Sequence, residues 1–328
     1  MNRRQFLQST AAATLATSAL SLRLARAAGD TSRYRLTMGQ WTFHRAFRGA
    51  PGVTKRDTLE FPSLSGELGF EGVDYSGILL GDGHKNPGTL AELNRRAADA
   101  GVKNVLILVD LYDPLGAPTE AGRRQSAEKF RPWLEAAATL GCSGIRVNAR
   151  SDLKLPADEQ SRLVADGMAR LLALSGPLNL DVMIENHGQG IYCDGAWIAS
   201  IVKQVGNPRC GTLPDFGNFQ KDRARGEFHD RYAGVAAMLP YAKCVCAKAH
   251  DFDANGEECY TDYARMLRLV ADSGYRGWIE VEYEGPGGSP RTPPPNRTPG
   301  PALGERDGAL ATKRLLQKHL GAALRTKS

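Results

Sequence analysis

From IENHG (residues 184–188) through PDFGNF (214–219) and AKAHDF (247–252) to IEVEYEG (279–285), the chain repeats one arrangement: an apolar, strand-like run that ends on an acidic or imidazole side chain. The residues concerned are Glu185, Asp215, His250 and Glu282, spaced 30, 35 and 32 positions apart. Each interval has room for one strand, one helix and their loops, the period of a β/α unit. Parallel strands lie about 4.8 Å apart, so carboxylates on adjacent strand ends repel unless a cation or a proton sits between them. A bound divalent metal is the simplest expectation.

Outward from these four units the same alternation continues. Strand-like runs are read at 35–41, 70–75, 103–109, 143–148, 180–186, 209–215, 243–248 and 277–283, with helical patterns such as 89–101, 127–141 and 262–274 between them. Eight such units predict a single (β/α)8 TIM barrel over residues 31–328. An open doubly wound sheet is the competitor, but only a barrel gathers every strand end at one face. Two stretches read as insertions at that face. One is the glycine-rich loop 76–88; the other is the proline-rich 285–304, expected to run extended across the mouth as a lid or a stiff spacer.

Residues 1–27 read as a twin-arginine signal peptide: Arg3-Arg4, an apolar stretch from Ala11 to Leu22, then Ala25-Arg26-Ala27. This predicts export to the periplasm or beyond, with no membrane attachment once the segment is cleaved. The formal net charge is +6, and the signal carries four of the arginines. What remains is close to neutral, without the clustered basic surface that nucleic acid requires. The six cysteines show no disulfide framework and read as small core residues. His84, His229 and His319 lack supporting neighbours and are expected at the surface.

An ordered set of short motifs carries a resemblance: GQW with His44 after strand one, GFEGVDY at strand two, GIRVNA at strand four, IENHG, GTLPDFGNF, AKAHDFD and GWIEVEYEG. Together they resemble the sugar phosphate isomerase and epimerase family, with its xylose isomerase-like TIM barrel. The resemblance implies one divalent metal (manganese, cobalt, zinc or magnesium) held by Glu185, Asp215, a strand-seven ligand and Glu282. In relatives that ligand is an imidazole two residues before the strand's lysine, a position held here by Cys246. His250, two residues after Lys248, is the expected ligand, because an imidazole with three carboxylates suits a borderline cation better than a thiol does.

The chemistry expected is proton abstraction beside the carbonyl of a non-phosphorylated keto sugar or oxidised glycoside. Glu185 and Glu282 would serve as base and acid, with His187 and Lys248 as further catalytic candidates. Trp41, His44, Asn148, Asn218 and Glu284 are candidates for binding the carbohydrate. Isomerisation, epimerisation and β-elimination from a 3-keto glycoside share this first step. A non-catalytic periplasmic carbohydrate-binding protein is the alternative from another class, and an oligomer is compatible with either.

Overall fold

The computed structural model describes residues 33–288 and 293–325. The expected signal segment 1–27 lies outside the described residues. Eight parallel strands form the barrel: β1 (Tyr34–Gly39), β2 (Gly72–Ser76), β3 (Lys103–Leu108), β4 (Gly144–Asn148), β5 (Asp181–Glu185), β6 (Cys210–Leu213), β7 (Val245–Ala249) and β8 (Gly277–Tyr283). They hydrogen-bond in the order β6-β5-β4-β3-β2-β1-β8-β7. The remaining seam, β6 to β7, is closed more thinly. Pro214 ends β6, and its carbonyl accepts from the Cys246 N–H at 2.9 Å while Phe216 N donates to the Cys246 carbonyl at 3.1 Å. The expected TIM barrel is therefore the fold.

Each strand is followed by an outer helix: α1 (Phe61–Glu67), α2 (Pro87–Asp99), α3 (Arg131–Leu140), α4 (Ala157–Ser175), α5 (Gly195–Val205), α6 (Arg231–Met238), α7 (Tyr263–Asp272) and α8 (Glu305–Arg325). One capping device recurs. Asn86, Asp194, Asp230 and Asp262 each accept backbone N–H bonds from the first turn of α2, α5, α6 and α7, satisfying donors the helix itself cannot. Strand ends followed by capped helices put every strand's C-terminal end at the same rim.

Several local expectations are corrected. The helix read at 127–141 is two helices, Glu120–Glu128 and α3, because Pro132 lacks the N–H that a continuous helix would need and instead opens the second one. The loop 76–88 is largely helical turns, Gly77–Leu80 and Gly81–Lys85. No described residue of 285–304 lines the cavity. The described part of that stretch is tied to the loop after β7 through Asn296 N to Cys259 O and Gly300 N to Phe252 O. Nor is His84 at the surface: it is buried and stacked on Trp133 with ring centroids 3.6 Å apart, while His229 and His319 are half-buried beside Asp194 and Glu257. All six cysteines are buried and unbridged, as core residues should be.

Helix-to-barrel packing is tightest where glycine permits it. A Cβ on Gly167 of α4 would lie 2.0 Å from the Leu115 carbonyl oxygen, a backbone atom with nowhere to retreat. Gly167→Ala is expected to cost roughly 1–3 kcal/mol by overpacking, read as a lower urea midpoint at unchanged slope.

Candidate active site

The strand pleat points Arg146 and Asn148 of β4, Glu185 of β5, Cys246 and Lys248 of β7, and Glu280 and Glu282 of β8 into the barrel, where all are buried. Gln40, Trp41, Asp74, Asp110, Arg146, Glu185, His187, Lys248, Glu280, Glu282 and Glu284 line a cavity of about 290 Å³ that opens at the rim between Arg48, Ile78, Tyr112 and Arg150. This is near the small end of ligand pockets.

Two buried cations organise the acids. Lys248 Nζ donates to Glu282 Oε1 at 2.7 Å and to Glu284 Oε2 at 3.3 Å, and lies 3.5 Å from Asp215 Oδ2. Burial alone would strip its proton, but these three carboxylates hold the ammonium well above the ordinary lysine range. Arg146 is divided between two acids, with Nη1 on Asp110 at 2.6 Å and Nε facing Glu185 at 2.7 Å. Asp110 takes the larger benefit. Although burial works against it, Arg146 and His187 keep its carboxyl below the usual range. Glu185 is only 2 % exposed, and burial, aided by the charge of Asp215, outweighs its share of Arg146. Its carboxyl is pushed up to about 8. Glu282 is also raised by burial, against the pull of Lys248.

Asp215 is fixed through its main chain and one oxygen. Its N–H donates to Asn186 Oδ1 at 2.7 Å, and Oδ1 accepts from the N–H groups of Gly217 and Asn218. Oδ2 is buried without a hydrogen bond. Ligand atoms of Asp215, Cys246 and Glu282 lie within 4.8 Å of one another, the one such group among the described residues. Two carboxylates and a thiol suit a divalent cation of borderline softness, and the unsatisfied Asp215 oxygen faces the place where one would bind.

The strand-seven position differs from the sequence expectation. Cys246, not His250, stands with Asp215 and Glu282, because β7 ends at Ala249 and the alternation that would carry His250 inward stops there. His250 is instead held in the following loop, its N–H on Glu258 Oε1 and its Nδ1 3.2 Å from the Gly285 carbonyl. Glu185 also stands outside the three-ligand group, facing Arg146 and accepting from Asn218 Nδ2 at 3.1 Å. Of the other candidates, Trp41, His187, Lys248 and Glu284 line the cavity; His44, Asn148 and Asn218 do not. His44 stacks on Trp41 (centroids 4.9 Å), Asn148 donates to Asp110 and Asn218 positions Glu185.

Sequence reading passed over Asp74, Asp110, Arg146 and Glu280. For Asp74, Arg146 and Glu280 the signal existed: polar residues inside the apolar strands GVDYS, GIRVN and GWIEVEY, in phase with inward neighbours; Asp110 lies just past the end of β3. The fully buried Asp74 has no hydrogen bond to either oxygen, although the Thr37 hydroxyl and Leu106 N–H lie close; both Glu280 oxygens are likewise unsatisfied. Both carboxyls are driven well above the usual range by burial, and Asp74 raises Glu280 further.

The profile of the xylose isomerase-like TIM barrel matches residues 63–304. The chain belongs to that family. A 57-residue segment is 37 % identical to the 3'-dehydrocarminate deglycosidase alpha subunit of Microbacterium sp., covering 17 % of this chain and 16 % of that protein's length. Solved structures similar to this family member include 3-keto-D-glucoside 4-epimerase from E. coli in its apo form (17 % identity, TM-score 0.58, 86 % of this chain and 99 % of that one). They also include the IOLI protein with a bound zinc atom (12 % identity, TM-score 0.61, 88 % and 98 %). At these identities the structural likeness establishes the fold.

Removing the Lys248 ammonium by Lys248→Met should destabilise the protein by about 3–5 kcal/mol, since three acids lose their shared partner; urea unfolding reads this directly. Elemental analysis of protein purified without chelator should find close to one equivalent of zinc or cobalt, falling at least tenfold in Cys246→Ala.

Proposed function

We propose that this barrel is an enzyme that moves a proton at the carbon beside the carbonyl of a non-phosphorylated keto sugar or oxidised glycoside, giving isomerisation or epimerisation. The observation that carries this reading is a pair of buried glutamates on β5 and β8, facing one small cavity and held by different cations. Lys248, 2.7 Å from Glu282, pulls that carboxyl toward its ionised form against the burial that raises it, and Glu282 is assigned as the group that takes the proton. Glu185, raised to about 8, is protonated at neutral pH and returns one. Such divergence between two acids is how one site performs both halves of a proton transfer. Lys248 also stands where it can donate to the oxyanion of the enediolate. A divalent cation held by Asp215, Cys246 and Glu282 would polarise the carbonyl as a Lewis acid. Of the metals expected from the sequence, the thiol favours zinc or cobalt over magnesium or manganese.

Trp41 lines the cavity with an apolar ring face suited to a sugar. Arg48 lies over the same ring, 5.2 Å from its centroid. The twin-arginine pattern of residues 1–27 supports action outside the cytoplasm on a neutral sugar. A second reading, β-elimination from a 3-keto glycoside, is favoured by the short segment shared with the deglycosidase subunit, and it begins with the same proton abstraction.

Incubation with keto sugars and 3-keto glycosides in deuterated water tests both, because deuterium should enter beside the carbonyl. Glu282→Gln should abolish this exchange. Glu185→Gln should retain exchange while lowering product formation about 10²–10⁴-fold. With the protonated form of Glu185 active, kcat should fall as pH rises through about 8, and Glu185→Gln should lose that limb. Absence of exchange from every compound, in protein replete with metal, would overturn the reading.

A further inference from the structure

Deeper in the barrel than Glu185 and Glu282, the same cavity is lined by Asp74 of β2, Glu280 of β8 and Gln40. None of these side chains is exposed, both Glu280 oxygens lack a hydrogen-bond partner, and Asp74 has only the Thr37 hydroxyl and Leu106 N–H close by, neither in good hydrogen-bond geometry. Gln40 is half-used: its Oε1 accepts from Ser76 N at 3.0 Å, while Nε2 has no acceptor. A protein interior rarely leaves so many polar atoms unsatisfied in one place without a ligand or ordered water to meet them.

The backbone makes room for this arrangement. Gly39 of β1 pairs with Asp74 of β2, and a Cβ at Gly39 would lie 2.2 Å from Glu280 Oε1. Only glycine lets the Glu280 carboxyl lie across β1, where Asp74 is its strongest charged neighbour. On the other side of Asp74 the β2–β3 register shifts between Val73 and Asp74, the type of irregularity that re-aims a side chain. A missing side chain on one strand and a bulge beside the next together direct two carboxyls into the cavity.

Resting on the carbohydrate reading of this site, we infer that Asp74, Glu280 and Gln40 form a hydroxyl-binding subsite at the cavity floor. The two carboxyls accept from neighbouring hydroxyl groups of the sugar, and Gln40 Nε2 donates to one of those oxygens. The chemistry favours a polyol over a second metal ion. Asp74 and Glu280 join no group of three ligand atoms within 4.8 Å among the described residues, too few for a cation. A cavity of about 290 Å³ is small enough that one sugar ring touching Glu282 also meets the floor. Selectivity follows, because a sugar lacking a hydroxyl there leaves buried acceptors unpaired.

Calorimetric titration with D-fructose, methyl β-D-glucopyranoside and the 2-, 3-, 4- and 6-deoxy forms of the glucoside tests this. In the unaltered protein, removing one or two particular hydroxyls should weaken binding at least tenfold. Asp74→Asn and Glu280→Gln should each weaken the parent sugar at least tenfold and abolish that discrimination. Both should raise the thermal midpoint, since an amide relieves an unpaired buried acid. Equal binding of all the deoxy sugars by the unaltered protein would overturn the subsite and leave the proton-transfer reading standing. So would undiminished binding by both folded variants. If neither parent sugar binds, the subsite fails, and deuterium exchange on the keto sugars decides the proton chemistry separately.

Discussion

The interior of this barrel is governed by a surplus of buried acid over buried base. Asp74, Asp110, Glu185, Asp215, Glu280, Glu282 and Glu284 face or flank one cavity, and the buried cations set against them are Arg146 and Lys248. Isolated carboxylates removed from water are so costly that proteins pair them, protonate them or bind a cation to them. Here pairing and protonation are arranged side by side, and Asp215, Cys246 and Glu282 are grouped closely enough to hold a cation. Lys248 gathers Asp215, Glu282 and Glu284. Arg146 is split between Asp110 and Glu185, and the uneven split leaves Glu185 inclined to keep its proton. Asp74 and Glu280, with no cation in contact, are driven toward the neutral form by burial.

That gradation gives the site chemical direction. Carboxyls of one intrinsic strength become a group paired with an ammonium, a group pushed up to about 8 beside a shared guanidinium, and an uncompensated pair at the floor. On the proposed reading, the same contrast in surroundings divides the work of a proton transfer between Glu282 and Glu185. The thiol of Cys246 adds a softer donor to Asp215 and Glu282. Burial and those acids raise it well above the usual thiol range, so without a cation it remains a donor, 3.3 Å from Glu282 Oε2.

Outside the barrel the helices fix the rim on which these side chains converge. Asn186 illustrates the precision required. One amide accepts from Asp215 N and donates to the carbonyls of Asp215 and Asn218, locking the end of β5 to the turn after β6. Through Asn218 that turn reaches Glu185. The loop after β7 is held in the same manner by Glu258, which accepts from the N–H groups of His250, Tyr260 and Thr261.

The β/α period, the barrel, and the convergence of Glu185, Asp215, Lys248 and Glu282 on one interior were legible in the chain, because apolar periodicity and residue spacing are local properties that survive in a linear sequence. His250 could not be assigned correctly that way, since its direction depends on where β7 stops, and hydrogen bonds that it makes to Glu258 and Gly285 decide its place. The roles of Arg146, Asp110, Asp74 and Glu280 were hidden for a related reason. An inward polar residue reads as an imperfection in a strand until the barrel closes and shows which charge lies opposite it. Residue order set which acids could enter the interior; only the closed barrel decided how two cations are shared among them, because electrostatic pairing depends on distance through space rather than along the chain.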